Sequence, residues 1–166
     1  ASAKTAKDEV IISTSLGDIR VALDASAAPI TVKNFLEYVD AKYYDGLVFH
    51  RVIKSFMIQG GGFTADLQKK GTRGPIKLEA GRLPNKRGSI AMARTNVKDS
   101  ATSQFFINHK DNPMLDTAGG GYAAFGMVVD GLKVVDAIAA VQTGRQKGMR
   151  DVPVTPVVIN SIRRAN

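Results

Sequence analysis

The chain has 166 residues, a net charge of +8 and no cysteine, and 44% of its residues are hydrophobic and 23% charged. This length and composition are typical of one globular domain with a real core. The absence of cysteine excludes disulfides and thiolate chemistry, and no apolar run approaches the length of a membrane span.

The first residues of the chain, 1–7, contain no methionine and no apolar segment. Such a beginning is typical of a mature end left after removal of a signal peptide, and equally of a shortened chain. We expect this tail to be disordered. Residues 8–166 are predicted to form a single domain, because no linker, repeat or low-complexity tract divides them.

The first part of the chain favours a hairpin followed by a helix. Residues 9–15 and 18–24 are β-rich runs joined at a Leu-Gly pair, which predicts a β-hairpin. Pro29 then opens a segment with apolar residues at helical spacing, and proline fits the first position of a helix. Residues 48–53 favour a central strand.

The second part of the chain favours more strands and one more helix. After Gly62 the chain is rich in glycine and proline as far as Arg87, which predicts a long loop. Apolar residues at helical spacing after Gly131 predict a second helix. Four runs favour further strands: residues 89–94, 104–108, 122–129 and 157–162. Many short strands with two helices indicate a mainly β fold, a closed antiparallel β-barrel capped by the helices.

Two of these strands carry candidate site residues. Alternate residues of a strand share a face, so we expect Arg51 to lie with Phe49 and Ile53. By the same rule, Gln104 lies with Phe106. The residues after Arg51 add apolar bulk and a glutamine amide. This combination suits a site that grips an uncharged, apolar group and polarises a peptide bond. The alternative is an ordinary strand with an exposed arginine, followed by core residues.

Other kinds of site are poorly supported. Residues 60–65 fit the G-x-G-x-x-A fingerprint of dinucleotide binding, with Glu79 as the downstream acidic residue. The glycines and proline that follow interrupt the helix that this fingerprint needs. The two histidines, His50 and His109, lie far apart without a metal-ligand pattern. No Gly-x-Ser-x-Gly elbow is present. We therefore expect neither a cofactor nor a metal, and interpret His50 as a strand residue with one structural hydrogen bond.

Several longer motifs together resemble a known family. They are FHRVI at 49–53, FMIQGG at 56–61, SQFFI at 103–107, LD at 115–116 and FG at 125–126. In this order they resemble the cyclophilins, and the similarity runs from about Val10 to Ile162. AMART at 91–95 and SAT at 100–102 are similar to the bacterial members. For a bacterial protein, the mature end described above favours the periplasm, with the cytoplasm as the alternative.

The resemblance implies an eight-stranded antiparallel β-barrel with two capping helices. It also implies that residues 8–166 form a peptidyl-prolyl cis–trans isomerase domain without a cofactor. Its partners would be proline-containing unfolded or partly folded polypeptides, whose folding it assists as a chaperone does. The matching catalytic positions are Arg51, which stabilises the twisted amide, and Gln59. The matching substrate-binding positions are Phe56, Met57, Ala93, Arg94, Gln104, Phe106, Met114, Leu115 and Tyr122.

Three of these positions depart from the family's pattern. Arg94 stands where the family has asparagine, so only its backbone role is carried over. Met114 stands where well-known eukaryotic members have tryptophan, and Tyr122 where many have histidine. Both border the proline pocket by this resemblance. Because methionine has no N–H to donate, the family's inhibitor cyclosporin A is expected to bind, but more weakly.

The positive charge does not by itself indicate a partner. Basic residues are scattered along the chain and are not interleaved with aromatic residues. We interpret them as a charged surface, and expect neither nucleic-acid nor membrane binding. A nucleic-acid-binding barrel stays an alternative, as does a proline-binding or chaperone module that has lost catalysis. The intact Arg51 argues against the latter. We expect a monomer.

Overall fold

The computed structural model describes residues 8–165, so the prediction of a disordered tail over residues 1–7 lies outside the described residues. The strands are β1 (Glu9–Thr14), β2 (Gly17–Leu23), β3 (Leu47–Val48), β4 (Arg51–Ile53), β5 (Met57–Gly60), β6 (Phe63–Thr64), β7 (Ser89–Met92), β8 (Phe105–Asn108), β9 (Ala124–Asp130), β10 (Thr143–Gln146), β11 (Met149–Pro153) and β12 (Ile159–Arg164). The helices are α1 (Pro29–Asp40), α2 (Leu132–Ala139) and the short 3₁₀ helices η1 (Pro113–Asp116) and η2 (Ala118–Gly120).

Among residues 8–165, eight strands form one antiparallel sheet in the order β12-β1-β2-β9-β7-β8-β5-β4. The mainly β fold with two α-helices is thereby confirmed. The closure differs from the expected one, because the described strands β4 and β12 are edges that do not pair with each other. Backbone hydrogen bonds bridge the gap instead. Gly46 N–H donates to the carbonyl of Ile159 at 2.8 Å, and Phe49 N–H to that of Val157 at 3.0 Å.

Aromatic rings fill the interior of the curled sheet. Phe35 of α1 lies 5.4, 5.6 and 5.2 Å from the rings of Tyr44, Phe105 and Phe125, measured between centroids. All four side chains are buried, and the Tyr44 hydroxyl donates to the carbonyl of Ser103 at 2.7 Å. Truncating a buried phenylalanine typically costs about 3–5 kcal/mol. This cluster therefore holds α1 firmly against the sheet.

The N-terminus of α1 is capped from a distant part of the chain. Ala28, the residue before the helix, has no side chain that can cap it. The Glu79 carboxylate instead accepts from Thr31 N–H at 2.7 Å and from Ile30 N–H at 3.1 Å. A carboxylate is also favourable at the positive end of the helix dipole. Glu79 thus anchors the loop after β6 to α1, a role unrelated to a dinucleotide.

The predicted central strand over residues 48–53 is wrong in its middle. The chain leaves β3 at Phe49 and His50 and enters β4 only at Arg51, because β3 pairs with β6 whereas β4 pairs with β5. The break resets the alternation of side chains. Phe49 therefore packs inside the sheet and not on the outer face with Arg51 and Ile53 as expected.

The interpretation of His50 as a hydrogen-bonded strand residue is also wrong. His50 lies between strands and is buried, and its ring packs against Phe63 with centroids 4.4 Å apart. Its Nδ1 has no hydrogen-bond partner among residues 8–165. Burial without a partner penalises the charged imidazolium. Together with the nearby charge of Arg51, burial lowers the pKa of His50 to about 4.

Candidate active site

The candidate site lies on the outer face of the sheet, where a second apolar cluster has formed. In β8, Phe105 and Ile107 point into the interior cluster, whereas Phe106 belongs to the outer one, as the alternation predicts. The buried members of the outer cluster are Met57, Ala91, Phe106, Leu115 and Ala124. A sheet that is apolar on both faces needs cover on both sides. Here that cover is only partial and leaves a cavity.

The cavity has a volume of about 140 Å³. That is close to the roughly 150 Å³ of an apolar cavity known to hold one benzene ring, so it has room for one small ring. Nine of the residues predicted for the site line it: Arg51, Phe56, Met57, Gln59, Ala93, Arg94, Phe106, Leu115 and Tyr122. The lining contains no carboxylate and no histidine. The side chains that most often transfer protons near neutral pH are therefore missing from this wall.

Arg51 is held at the cavity by a chain of two amides. It is directly opposite Gln59 in the β4–β5 ladder, and its Nη1 donates to Gln59 Oε1 at 3.3 Å. Gln59 Nε2 in turn donates to Gln104 Oε1 at 2.9 Å. The second bond fixes which end of the Gln59 amide faces the guanidinium. Gln104, which is not a lining residue, thus acts on the cavity through Gln59.

The position of Gln104 explains one of the glycines in the central motif. A Cβ atom at Gly62 would lie 2.5 Å from Cγ of Gln104. Such an approach is too close for any side chain, so only glycine leaves room for the glutamine. A larger residue at Gly62 would push Gln104 away from Gln59 and break the hydrogen bond between the two amides.

Arg94 and Tyr122 form another part of the cavity wall. The guanidinium carbon of Arg94 lies 4.6 Å from the centre of the Tyr122 ring, a cation–π distance. Its Nη2 also donates to the carbonyls of Gly119 at 3.0 Å and Gly121 at 2.8 Å. Tyr122 then meets Phe106 edge-on, with centroids 5.9 Å apart. The side chain of Arg94, at the position where the resemblance predicted asparagine, therefore holds the loop before Tyr122 in place.

Besides Gln104, Met114 is the predicted site residue that does not line the cavity. It precedes Leu115 on η1, and it is 52% exposed. Its bearing on an inhibitor that extends beyond the cavity stays a prediction.

Residues 8–165 contain no cluster of three metal-ligating side chains, and none of their helices is long and apolar enough to cross a membrane.

The feature that sequence reasoning missed is a group of buried asparagines behind the cavity wall: Asn85, Asn108 and Asn112. A signal was present, since Asn108 ends an otherwise apolar strand.

Comparison with protein families identifies the chain. Residues 9–164 match the family model described as "Cyclophilin type peptidyl-prolyl cis-trans isomerase/CLD". The chain belongs to the cyclophilin family. This cyclophilin is accordingly a peptidyl-prolyl cis–trans isomerase, as the resemblance implied.

Named relatives cover nearly the whole chain. Peptidyl-prolyl cis-trans isomerase A of Dickeya dadantii (strain 3937) is 51% identical, over 98% of this chain and 87% of that protein. Peptidyl-prolyl cis-trans isomerase B of Escherichia coli (strain K12) is 48% identical, over 92% of this chain and 97% of that protein. The similarity to bacterial members is thereby confirmed.

Solved structures agree with the fold. A cyclophilin type peptidyl-prolyl cis-trans isomerase of Cryptosporidium parvum is 27% identical with a TM-score of 0.81, over 96% of this chain and 98% of that chain. A second structure of the Cryptosporidium protein, in the presence of the dipeptide Ala-Pro, has a TM-score of 0.79 at 28% identity, over 95% of this chain and 99% of that chain.

Proposed function

We propose that this isomerase lowers the barrier to rotation about X-Pro bonds with the guanidinium of Arg51, while the apolar side chains of the cavity hold the proline ring still. The observation that carries the proposal is an arginine at the wall of a cavity that has apolar side chains on part of its wall and room for one ring. Among residues 8–165, the Arg51 side chain donates one hydrogen bond, to Gln59. A guanidinium has five N–H donors, so donors remain for a substrate.

The chemistry follows from the amide bond. Its partial double-bond character sets a rotation barrier near 20 kcal/mol. In the twisted state the proline nitrogen becomes pyramidal and recovers its lone pair. A donor aimed at that lone pair gains a hydrogen bond only in the twisted state. It therefore stabilises the transition state more than the ground state, which is the condition for catalysis. Lowering the barrier by about 7 kcal/mol would accelerate the exchange by around five orders of magnitude.

The remaining residues hold the substrate and orient Arg51. Phe56, Met57, Phe106 and Leu115 form apolar walls for the ring. Gln59 orients Arg51 or bonds the substrate backbone, with Gln104 supporting it from behind. We assign the backbone of Ala93 and Arg94 to the residue before proline. No proton moves in this reaction, which agrees with a cavity wall without a carboxylate or a histidine.

Proline-containing polypeptides are the proposed substrates, and assistance to the folding of unfolded or partly folded chains is the proposed role. The Cryptosporidium structure in the presence of Ala-Pro supports a proline ligand.

For cyclosporin A we propose weakened binding, since Met114 has no N–H donor, whereas a tryptophan at this position would offer its indole N–H. Action as a monomer and a periplasmic location stay predictions.

An isomerisation assay on Ala-Pro-type tetrapeptides tests the mechanism. We expect Arg51→Ala to lose about 10²–10³-fold in kcat/KM, the usual effect of removing one transition-state donor. Arg20→Ala is the matched control, because Arg20 is an exposed arginine on β2 that is paired with Glu9 and does not line the cavity. It should keep full turnover. A wild-type protein that binds proline peptides without isomerising them would support the chaperone alternative instead.

A further inference from the structure

Three asparagines are buried behind the cavity wall and are not explained by the chemistry above. Asn85, Asn108 and Asn112 are 1%, 0% and 0% exposed. Asparagine is seldom fully buried, and burying an amide is costly unless it is hydrogen-bonded. A cluster of three therefore needs a physical reason.

The three amides form one connected network with Asn108 at its centre. Asn108 Nδ2 donates to Asn85 Oδ1 at 3.1 Å and to Ser89 Oγ at 3.0 Å. Asn108 Oδ1 accepts from Asn112 Nδ2 at 2.8 Å. Asn112 N–H also donates to the backbone carbonyl of Asn85 at 2.8 Å. The network thus links β8, the loop before β7 and the segment that leads into η1.

The outer ends of the network reach the backbone of the cavity wall. Asn112 Nδ2 donates to the carbonyl of Phe56 at 2.8 Å. Asn85 Nδ2 donates to the carbonyl of Tyr122 at 3.2 Å and to the carboxylate of Asp116 at 3.0 Å. Phe56 and Tyr122 line the cavity, and Asp116 directly follows the third wall residue, Leu115.

These wall residues need such support because none of the three belongs to a strand. Phe56 lies in the turn between β4 and β5, Leu115 in η1, and Tyr122 between η2 and β9. Segments of this kind lack the ladder of hydrogen bonds that fixes a strand, and they open most easily. A displacement of about 1 Å in a substrate-positioning group can cost about 100-fold in rate.

The orientation of the Asn112 amide is also decided by the cavity wall. Its Nδ2 faces two oxygens, the Phe56 carbonyl and Asn108 Oδ1. The reversed amide would place an oxygen against the Phe56 carbonyl. The chosen orientation leaves Asn112 Oδ1 buried without a partner among residues 8–165. One unsatisfied acceptor is thus tolerated to keep the bond to Phe56.

We propose that Asn85, Asn108 and Asn112 are positioning residues that hold the turn of Phe56, η1 and the segment of Tyr122 in register around the proline ring. The inference rests on the proposed function, since it assigns to the network the support of the same cavity. None of the three asparagines lines the cavity, so each acts through the wall residues that the network holds.

The test compares kcat/KM of folded variants with that of a matched control. Asn112→Ala and Asn85→Ala remove the two outer ends of the network. The control is Asn34→Ala, because Asn34 is equally a buried asparagine and donates to the carbonyl of Thr102 at 2.9 Å, away from these three segments. We expect a loss of about 10–100-fold in kcat/KM for each network variant and near-normal kcat/KM for the control, all assayed well below their Tm.

A double-mutant cycle and amide NMR separate positioning from plain destabilisation. Substitutions within one network are expected to be non-additive. The loss of kcat/KM in the double variant Asn108→Ala/Asn112→Ala should therefore be much smaller than the product of the losses in the two single variants. Combining Asn34→Ala with Asn112→Ala should give nearly the same kcat/KM as Asn112→Ala alone. Amide chemical shifts should move at residues 54–57, 113–116 and 121–123 in the Asn112 and Asn85 variants, but not in the control.

The outcomes also distinguish this inference from the proposed mechanism. If Asn112→Ala and Asn85→Ala stay folded and isomerise normally while Arg51→Ala is impaired, the network has no positioning role and the mechanism stands. If Arg51→Ala retains normal turnover, the mechanism fails whatever the asparagines do. If Asn108→Ala does not fold, the two outer variants still decide the question.

Discussion

His50 should make the protein lose stability as the pH falls below about 6.5. Its imidazole is buried and its Nδ1 lacks a partner among residues 8–165, and burial lowers its pKa to about 4 from an ordinary value of 6.5. Between these two values the unfolded chain binds a proton that the folded chain does not. By linkage, this contribution to the free energy of unfolding is fully present above pH 6.5 and is lost as the pH falls toward 4.

The size of the effect follows from the shift in the pKa of His50. A difference of one pKa unit corresponds to about 1.36 kcal/mol. The shift of His50 therefore represents about 3 kcal/mol in all, of which about 2 kcal/mol should be lost between pH 7 and pH 5. This is a large fraction of the stability of a typical domain.

Denaturant titrations at pH 7 and pH 5 measure this loss. His50→Gln has no titrating ring, so wild type should lose about 2 kcal/mol more than the variant over this interval. Carboxylates that titrate near pH 4 are the same in both proteins and cancel in the difference. Identical losses for wild type and variant would show that His50 is solvated in the folded protein, and would refute the argument from its burial.

Three further expectations concern activity, helix capping and inhibition. Because burial holds the pKa of His50 near 4 and the cavity wall carries no carboxylate or histidine, kcat/KM should change little between pH 6 and 8; a bell-shaped profile there would contradict this. Glu79→Ala should lower the free energy of unfolding by about 1 kcal/mol, since it removes the cap of α1, and an unchanged Tm would refute that role. Met114→Trp should tighten cyclosporin A binding by roughly 10–100-fold, because one hydrogen bond and one aromatic contact are each worth about 1 kcal/mol; equal inhibition of both proteins in a titration would refute it.

Local sequence patterns predicted the side-chain directions correctly where a strand keeps the same neighbours along its length. The alternation in β8 correctly placed Phe106 on the outer face and Phe105 inside. It failed at Phe49, because the chain changes partner strands between β3 and β4, and a change of partner leaves no mark in the alternation. The hairpin of β10 and β11 was missed because its residues, including a Lys147-Gly148 turn with positive φ, are mostly polar or exposed and lack an apolar face.

The candidate site was predictable in its parts but not in its support. The lining residues come from short motifs, and the family resemblance indicated which of them meet. The asparagine network depends on contacts between residues far apart in the chain, such as Asn85 with Tyr122. The side chain of Arg94 is a similar case, since its partners are carbonyls of a glycine-rich loop. Such contacts are not visible in local spacing.

The central claim is that Arg51 acts on the twisted amide and not on the bound ground state. The most direct measurement is kcat/KM for an Ala-Pro-type tetrapeptide beside the Kd of a proline peptide, for wild type and Arg51→Ala. We expect kcat/KM to fall about 10²–10³-fold while the Kd changes by less than about tenfold, the pattern of an interaction made only in the transition state. Equal losses in both quantities would mean that Arg51 merely binds the substrate, and near-normal turnover would contradict its role altogether.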